Sequence, residues 1–272
     1  MGPDERCPQQ LVKKNTVIEL QNLVKRFGDL VAVDGISLTV GRGEFFVVLG
    51  PNAAGKTTTI KMIAGLIKPT TGSVRVAGFE VQRQQLEASE RLAYVPDFPF
   101  LYDKLTPWEF FRFIGQLFQL NDDHIESAAS VLAERFNLEP YLGKSIEGLS
   151  HGTRQRVAIA SALLHNPEVC VIDEPMVGLD PQHARVVKDV LKERSMLGTT
   201  VFLSTHQLSV AEEMADRIGI IHQGRLIAVG TRDELRRQSG TDGALEKAFL
   251  RLTAQEPDPD PKGLLSFESR AV

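Results

Sequence analysis

The chain has 272 residues, 42% of them hydrophobic and 24% charged, with a formal net charge of −4. That composition describes a globular protein long enough for one large domain or two modest ones, and it lacks the basic field that nucleic-acid binding requires. Cys7 and Cys170 lie far apart, one in a polar stretch and one in an apolar run, so they form no metal-type cluster and reduced thiols are expected. No apolar run approaches the roughly eighteen residues that span a bilayer. Met1 to Arg6 contains no apolar core of a secretory signal, and Arg6 stands where a myristoylation motif needs Ser or Thr. The expectation is a cytoplasmic chain that reaches a membrane only through a partner.

Residues 1–15 are polar and read as a flexible N-terminus. Val17 to Leu23 and Ile36 to Val40 alternate in polarity and predict strands of a half-exposed sheet, with Lys25-Arg26-Phe27-Gly28-Asp29 as a turn between them. Phe27 in that turn is either packed on the sheet or functional. Phe45 to Leu49 is an apolar run too short for a helix, and a helix-like pattern resumes from Lys56 to Leu66. Strands are expected at Ser73 to Ala77 and Leu92 to Val95, the latter broken by Pro96-Asp97-Phe98-Pro99. From Leu105 to about Leu164 the aromatics Trp108, Phe110, Phe111, Phe113 and Phe118 fall mostly at helical spacing, which predicts a helical insertion. Their rings read as helix core, with a docking face as the alternative.

Alternation then returns: strand Val169 to Ile172, helix Gln182 to Arg194, strand Thr200 to Ser204, helix Leu208 to Ala215 and strand Ile218 to Ile221. Such βαβ order argues for a mainly parallel sheet covered by helices. Arg225 to Val229 and Arg232 to Gln238 add a strand and a short helix. The run Glu256-Pro257-Asp258-Pro259-Asp260-Pro261 excludes regular structure, so residues 255–272 read as a disordered tail.

The chemistry concentrates in four places. Gly50-Pro51-Asn52-Ala53-Ala54-Gly55-Lys56-Thr57 fits G-x-x-x-x-G-K-[ST] between a strand and a helix, as a phosphate-binding loop requires. Its glycines let the backbone bend and approach an anion, its amides and the helix dipole point at phosphate, Lys56 adds charge and the Thr57 hydroxyl can ligate Mg²⁺. Val169 to Ile172 ends in Asp173-Glu174, at the end of the strand where open α/β sheets bind ligands. There Asp173 can hold Mg²⁺ and Glu174 can polarise a water; alone, the pair is equally readable as cap or surface groups. Ser150 caps a helix beginning His151-Gly152-Thr153, which is either only a capped helix or a second anion site. His206 follows a strand in Leu203-Ser204-Thr205-His206.

These motifs, in this order and with Pro175 and Gly178-Leu179-Asp180 after the carboxylates, resemble the ATP-binding cassette ATPases over about residues 16–240. The resemblance implies an α/β P-loop cassette with a mainly parallel core sheet, an antiparallel β part and a helical subdomain at about 98–165. It implies a head-to-tail dimer in which ATP lies between the P-loop of one cassette and the signature of another, which is either the same chain or a different one. Phe27 would stack on adenine. Gly50, Pro51, Asn52, Ala53, Ala54, Gly55, Lys56, Thr57 and Thr58 would surround the phosphates, and Thr57, Asp173 and Asp97 would manage Mg²⁺. Glu174 would be the general base and His206 would touch the γ-phosphate. Ser150, His151, Gly152 and Thr153 would meet the opposite ATP, and Asp180 would couple the two sites.

Three positions depart from the family pattern. Ala53 replaces a usual glycine, which is tolerable only if its φ is negative. Ser-His-Gly-Thr replaces Ser-Gly-Gly-Gln, so His151 adds bulk beside the γ-phosphate site. Asp97 replaces the lid glutamine. The segment from Tyr94 to Glu109 is similar to the lid loops of cassettes that serve drug, lipid or polysaccharide exporters, and Ala244 to Thr253, within a helix expected at 241–254, resembles their closing helix. The resemblance thus implies an exporter ATPase working with a separate transmembrane permease at the cytoplasmic face of the membrane. A permease helix is expected to dock near Asp97 to Phe113. The alternatives are a regulatory or nucleic-acid-associated cassette protein, which usually carries two cassettes or a long coiled coil, and a P-loop kinase, which would leave Leu149 to Arg156 unexplained.

Overall fold

The computed structural model describes residues 16–240 and 245–254. The flexible N-terminus read at 1–15, the tail read at 255–272 and residues 241–244 of the expected closing helix lie outside the described residues. The chain opens with a hairpin of β1 (Thr16–Phe27) and β2 (Leu30–Gly41). Lys25, Arg26 and Phe27 are not turn residues but the paired end of β1, opposite Val33, Val31 and Leu30. The turn is Gly28-Asp29, where Gly28 takes φ 57. Lys-Arg-Phe carries no alternation of its own; it is strand because of its apolar partners across the hairpin, two of them β-branched valines.

Next come β3 (Phe45–Leu49), α1 (Lys56–Ile63), β4 (Thr71–Val76), β5 (Phe79–Glu80), α2 (Gln85–Ser89) and β6 (Leu92–Val95). The helical insertion follows as α3 (Pro107–Leu117), α4 (Asp122–Arg135) and α5 (His151–Leu163). The remainder is β7 (Val169–Asp173), α6 (Pro181–Met196), β8 (Thr200–Thr205), α7 (Leu208–Met214), β9 (Arg217–His222), β10 (Arg225–Gly230), α8 (Arg232–Ser239) and α9 (Leu245–Ala254).

Two sheets organise these elements. An antiparallel sheet runs β2-β1-β4-β5, and a six-stranded sheet runs β10-β9-β3-β8-β7-β6, parallel except at the β9–β10 edge. This is the α/β architecture that the sequence implies. Because the parallel strands are covered on both faces, β3, β7 and β8 are buried at every residue. The period of two divides β3 between two cores. Phe45, Val47 and Leu49 face a cluster that includes Phe110, Phe111 and Phe136 of the insertion, while Phe46 and Val48 face one built with Ile18, Leu20 and Ile60. Parallel register aligns Leu49 with Thr205, Asp173 with Ser204 and Val95 with Ile172. The loops after β3, β6, β7 and β8 therefore leave the sheet at one edge.

The insertion is locally well specified. Thr106 and Glu109 form a reciprocal capping box at the start of α3, and Asn121 caps α4. A Cβ at Gly115 would lie 2.5 Å from Ile125 Cγ1, so glycine there lets α3 and α4 touch. Phe110 and Phe111 are buried, as helix core requires, and Phe118 stacks on His165 with centroids 3.7 Å apart. Burial pushes His165 down from its ordinary 6.5 to about 4, against a smaller opposing effect of the Leu92 backbone. An unfolded chain therefore takes up this proton near pH 6.5 and the folded one only near pH 4, so this contribution to stability is full above pH 6.5 and is lost as pH falls toward 4. The loss amounts to about 3 kcal/mol. Urea unfolding at pH 7 and pH 4.5 is expected to show a drop in stability that is smaller by about 2 kcal/mol in His165→Phe. An equal drop in both proteins would contradict this assignment.

Candidate functional site

The loop between β3 and α1 is held in place by close backbone approaches. A Cβ at Gly50 would overlap the Ile221 carbonyl, and one at Gly55, which has φ 102, would sit 2.5 Å from the Ala32 carbonyl. Gly55 also stands at the N-cap of α1 and offers no side-chain cap, so the first amides of the helix are left for an external acceptor. The condition attached to Ala53 is not met: its φ is +62, in the left-handed region. Ala53 tolerates it because its methyl group is exposed, at a strain of about 1–2 kcal/mol.

Lys56 Nζ donates to the carbonyls of Gly50 at 2.8 Å and Pro51 at 3.1 Å, and lies 3.5 Å from Glu174 Oε1. At 6% exposure, its charge depends on these partners. The same Glu174 oxygen is 2.9 Å from His206 Nδ1. Glu174 has φ 47, so the chain leaves the line of β7 directly after Asp173. Lys56 at the start of α1, Glu174 after β7 and His206 after β8 thus form one cluster.

Asp173 is fully buried, and its Oδ1 accepts from the Ser204 hydroxyl. Oδ2 has no partner of ordinary geometry. Burial pushes its carboxyl up, hydrogen bonding from Ser204 and Thr57 opposes this, and the charges of Asp97 and Glu174 add to the rise. Asp97 is thereby close enough to act on Asp173; it also helps to raise Tyr94 to about 12, behind burial and Asp173. Among the described residues no group of three or more His, Cys, Asp or Glu forms a metal cage. Mg²⁺ needs no such cage, since it takes one or two carboxylates together with phosphate and water. The Thr57 hydroxyl and the Asp173 carboxylate are a donor set that fits it.

A cleft of about 840 Å³ is lined by Phe27, the run Asn52 to Thr58, Asp97 and Glu174, whereas Gly50, Pro51, Asp173 and His206 do not line it. Its other wall, which no sequence motif marks, is Leu30, Val31, Ala32 and Asp34 of β2, with Gln223 and Gly224 of the β9–β10 turn and Arg225 at the start of β10. That turn is pinned by Asp34 N to Gly224 O at 2.8 Å, by Gly224 N to Ala54 O at 2.9 Å and by the Arg225–Asp34 ion pair at 2.8 Å. No local motif marks these residues, because the wall forms only when the hairpin and the turn meet.

Ser150, His151, Gly152, Thr153 and Asp180 do not line this cleft. Ser150 caps α5 by accepting from Thr153 N at 3.3 Å. Thr153 itself is only 3% exposed; its hydroxyl is 2.9 Å from that of Ser150 and accepts from Arg156 at 3.2 Å, so its side chain supports Ser150 from beneath. Asp180 caps α6 by accepting from His183 N at 3.0 Å and meets the His183 ring. Those bonds hold its carboxyl below the usual range.

The sequence profile described as "ABC transporter" matches residues 33–177. The chain belongs to this family. It is 35% identical over 230 residues to linearmycin resistance ATP-binding protein LnrL of Bacillus subtilis (strain 168), covering 85% of this chain and 74% of that protein. It is 37% identical over 213 residues to Nod factor export ATP-binding protein I of Burkholderia lata, covering 78% and 70%. A solved ATP-binding subunit of an ABC transporter superposes with a TM-score of 0.83 at 33% identity, covering 88% of this chain and 100% of that one. A dimeric ATP-binding cassette in a post-hydrolysis state, bound to ADP and Pi, gives 0.72 at 26% identity, covering 79% and 98%. This ABC transporter subunit is an ATPase.

Relief of the Ala53 strain is directly measurable. Ala53→Gly is expected to lose little in the folded cassette and to remove about 1 kcal/mol of strain, offset in part by the entropy of the more flexible unfolded chain. Gly55→Ala combines a positive φ with the Ala32 carbonyl and is expected to abolish binding of a fluorescent ATP analogue. Ordinary binding by Gly55→Ala would contradict the described loop.

Proposed function

We propose that the protein drives export through a separate permease, by closing on a second copy of itself around ATP and reopening after hydrolysis. The observation that carries this reading is the separation within one chain of the cleft from the capped end of α5. Ser150 heads a helix whose dipole favours an anion, yet it does not line its own cleft. A second copy would bring its Ser150 to the first copy's phosphates, and the dimeric structural relative supports that arrangement.

In this reading Phe27 is the platform for the base, and the amides from Asn52 to Thr58, with Lys56, hold the phosphates. Phosphate oxygens compete with Glu174 for the Lys56 ammonium, which releases the carboxylate to take a proton from water. That water attacks the γ-phosphorus, the bond to the β-phosphate oxygen breaks, and ADP and inorganic phosphate result. His206 steadies the γ-phosphate. Thr57, Asp173 and Asp97 would hold Mg²⁺, which when bound neutralises charge on the phosphate oxygens. Thr153 accepts from Arg156 and shares a hydrogen bond with the Ser150 hydroxyl, which would hold Ser150 in place toward a phosphate oxygen of the opposite nucleotide. Asp180, at the cap of α6, couples the two sites.

No helix among the described residues is long and apolar enough to cross a membrane. A groove of about 300 Å³ between β6, Pro99 to Leu101 and helices α3 and α5 offers apolar walls from Val95, Phe100, Phe110, Ile114 and Phe118. Its mouth carries Phe100 at 83% exposure. An exposed aromatic on such a groove supports docking of a short permease helix, with the cassette peripheral at the cytoplasmic face.

Glu174→Gln is expected to lower phosphate release at least 100-fold, within the range for loss of a general base, and to trap a dimer that requires Mg-ATP. A persistent monomer in the presence of Mg-ATP would contradict closure on a second copy. Phe100→Asp is expected to detach the protein from membranes that contain its permease without loss of ATP binding; retained attachment would contradict docking in this groove.

A further inference from the structure

The histidine of the signature has neighbours that connect otherwise separate parts of the site. His151 is the first residue of α5, and its ring lies 6.0 Å from that of Phe98, centroid to centroid, at a tilt of 34°. Phe98 in turn meets Phe100 edge-on at 6.3 Å. The Phe98 amide donates to Asp97 Oδ1 at 2.9 Å, and Asp97 lines the nucleotide cleft. Through Phe98 the His151 ring is thus tied both to the cleft and to the mouth of the apolar groove.

The same ring also closes on the turn between Glu174 and Asp180. Gly178 has φ 75, and a Cβ built there would overlap His151 Cδ2 and lie 3.0 Å from Nε2. The next residue of the helix packs on the same turn, since a Cβ at Gly152 would be 3.2 Å from Leu179 Cδ2. The turn is compact: Val177 N donates to Glu174 O at 3.2 Å and Leu179 N to Met176 O at 3.3 Å. A displacement of Phe98 therefore meets a ring, and the ring meets backbone with no side chain to absorb the movement. Phe98 is 57% exposed and does not line the groove, so groove packing does not account for its place.

We propose that His151 is a positioning residue, the spacer through which the Phe98–Phe100 segment sets the Ser150 helix end and the Gly178 turn against the opposite nucleotide. The proposal rests on the composite site described above. It assigns the role to the shape of a planar ring in contact with Phe98 and Gly178; a glycine at 151 would leave a gap between them, and a phenylalanine would not.

The test is a double-mutant cycle in the Glu174→Gln background, with the dimerisation constant in saturating Mg-ATP read by sedimentation and folding checked by thermal unfolding. Phe98→Ala and His151→Gly are each expected to weaken the dimer about 10-fold and their combination by no more than either alone, because both break one contact chain. His151→Phe is expected to stay within about twofold of the parent, a rescue that a role through charge or hydrogen bonding does not give. Additive effects approaching 100-fold in the double variant, or failure of His151→Phe to rescue, overturn the spacer. Absence of any Mg-ATP-dependent dimer in the Glu174→Gln parent overturns the composite site instead, and the spacer with it.

Discussion

One carboxylate oxygen ties the site together. Glu174 Oε1 lies 3.5 Å from the Lys56 ammonium and 2.9 Å from the His206 ring, so the loops after β3, β7 and β8 converge on a single acceptor. They can do so only because the three strands are parallel, adjacent and in register at their C-terminal ends. The buried faces of those strands fix that register, since a slip by one residue would exchange Phe45 and Val47 for Phe46 and Val48 between the two cores. Packing of apolar side chains thus sets the distance between charged ones.

The same region departs from what local propensity favours. Ala53 and Glu174 both take positive φ, and Asp173 is fully buried with one oxygen lacking a partner. Each is unfavourable for the isolated segment and is held by its surroundings: Gly224 against Ala54, Ser204 against Asp173, and Ser204 O against Glu174 N. Strain and a buried acceptor without an ordinary hydrogen bond, gathered at one sheet edge, mark a place built to receive charge from outside, which the proposed nucleotide site would supply.

Much of this was legible in the sequence because it is encoded locally. The run Phe45 to Leu49 followed by Gly50 to Thr57 specifies strand, loop and helix in consecutive residues, and Leu92 to Val95 is strand at those same bounds. What escaped depends on contacts far along the chain. Phe27 is strand because Leu30 pairs with it, and the second wall of the cleft exists because Asp34 meets Gly224 and Arg225. Ala53 takes a conformation that its own residue type disfavours. Thr153 occupies a position that a motif reading assigns to nucleotide contact, whereas its side chain is buried beneath Ser150 by its bond from Arg156. No linear pattern shows His151 near both Phe98 and Gly178.

The central proposal is that each ATP is held by residues of two copies, and complementation tests it most directly. Lys56→Ala removes one half of the site and Ser150→Arg blocks the other, so each protein alone should release almost no phosphate. In an equal mixture half of the dimers combine the two variants and carry one intact site, so about a quarter of wild-type turnover should return. Recovery on mixing is the result that a composite site predicts. A mixture as inactive as its components would contradict it and confine the ATP site to one chain.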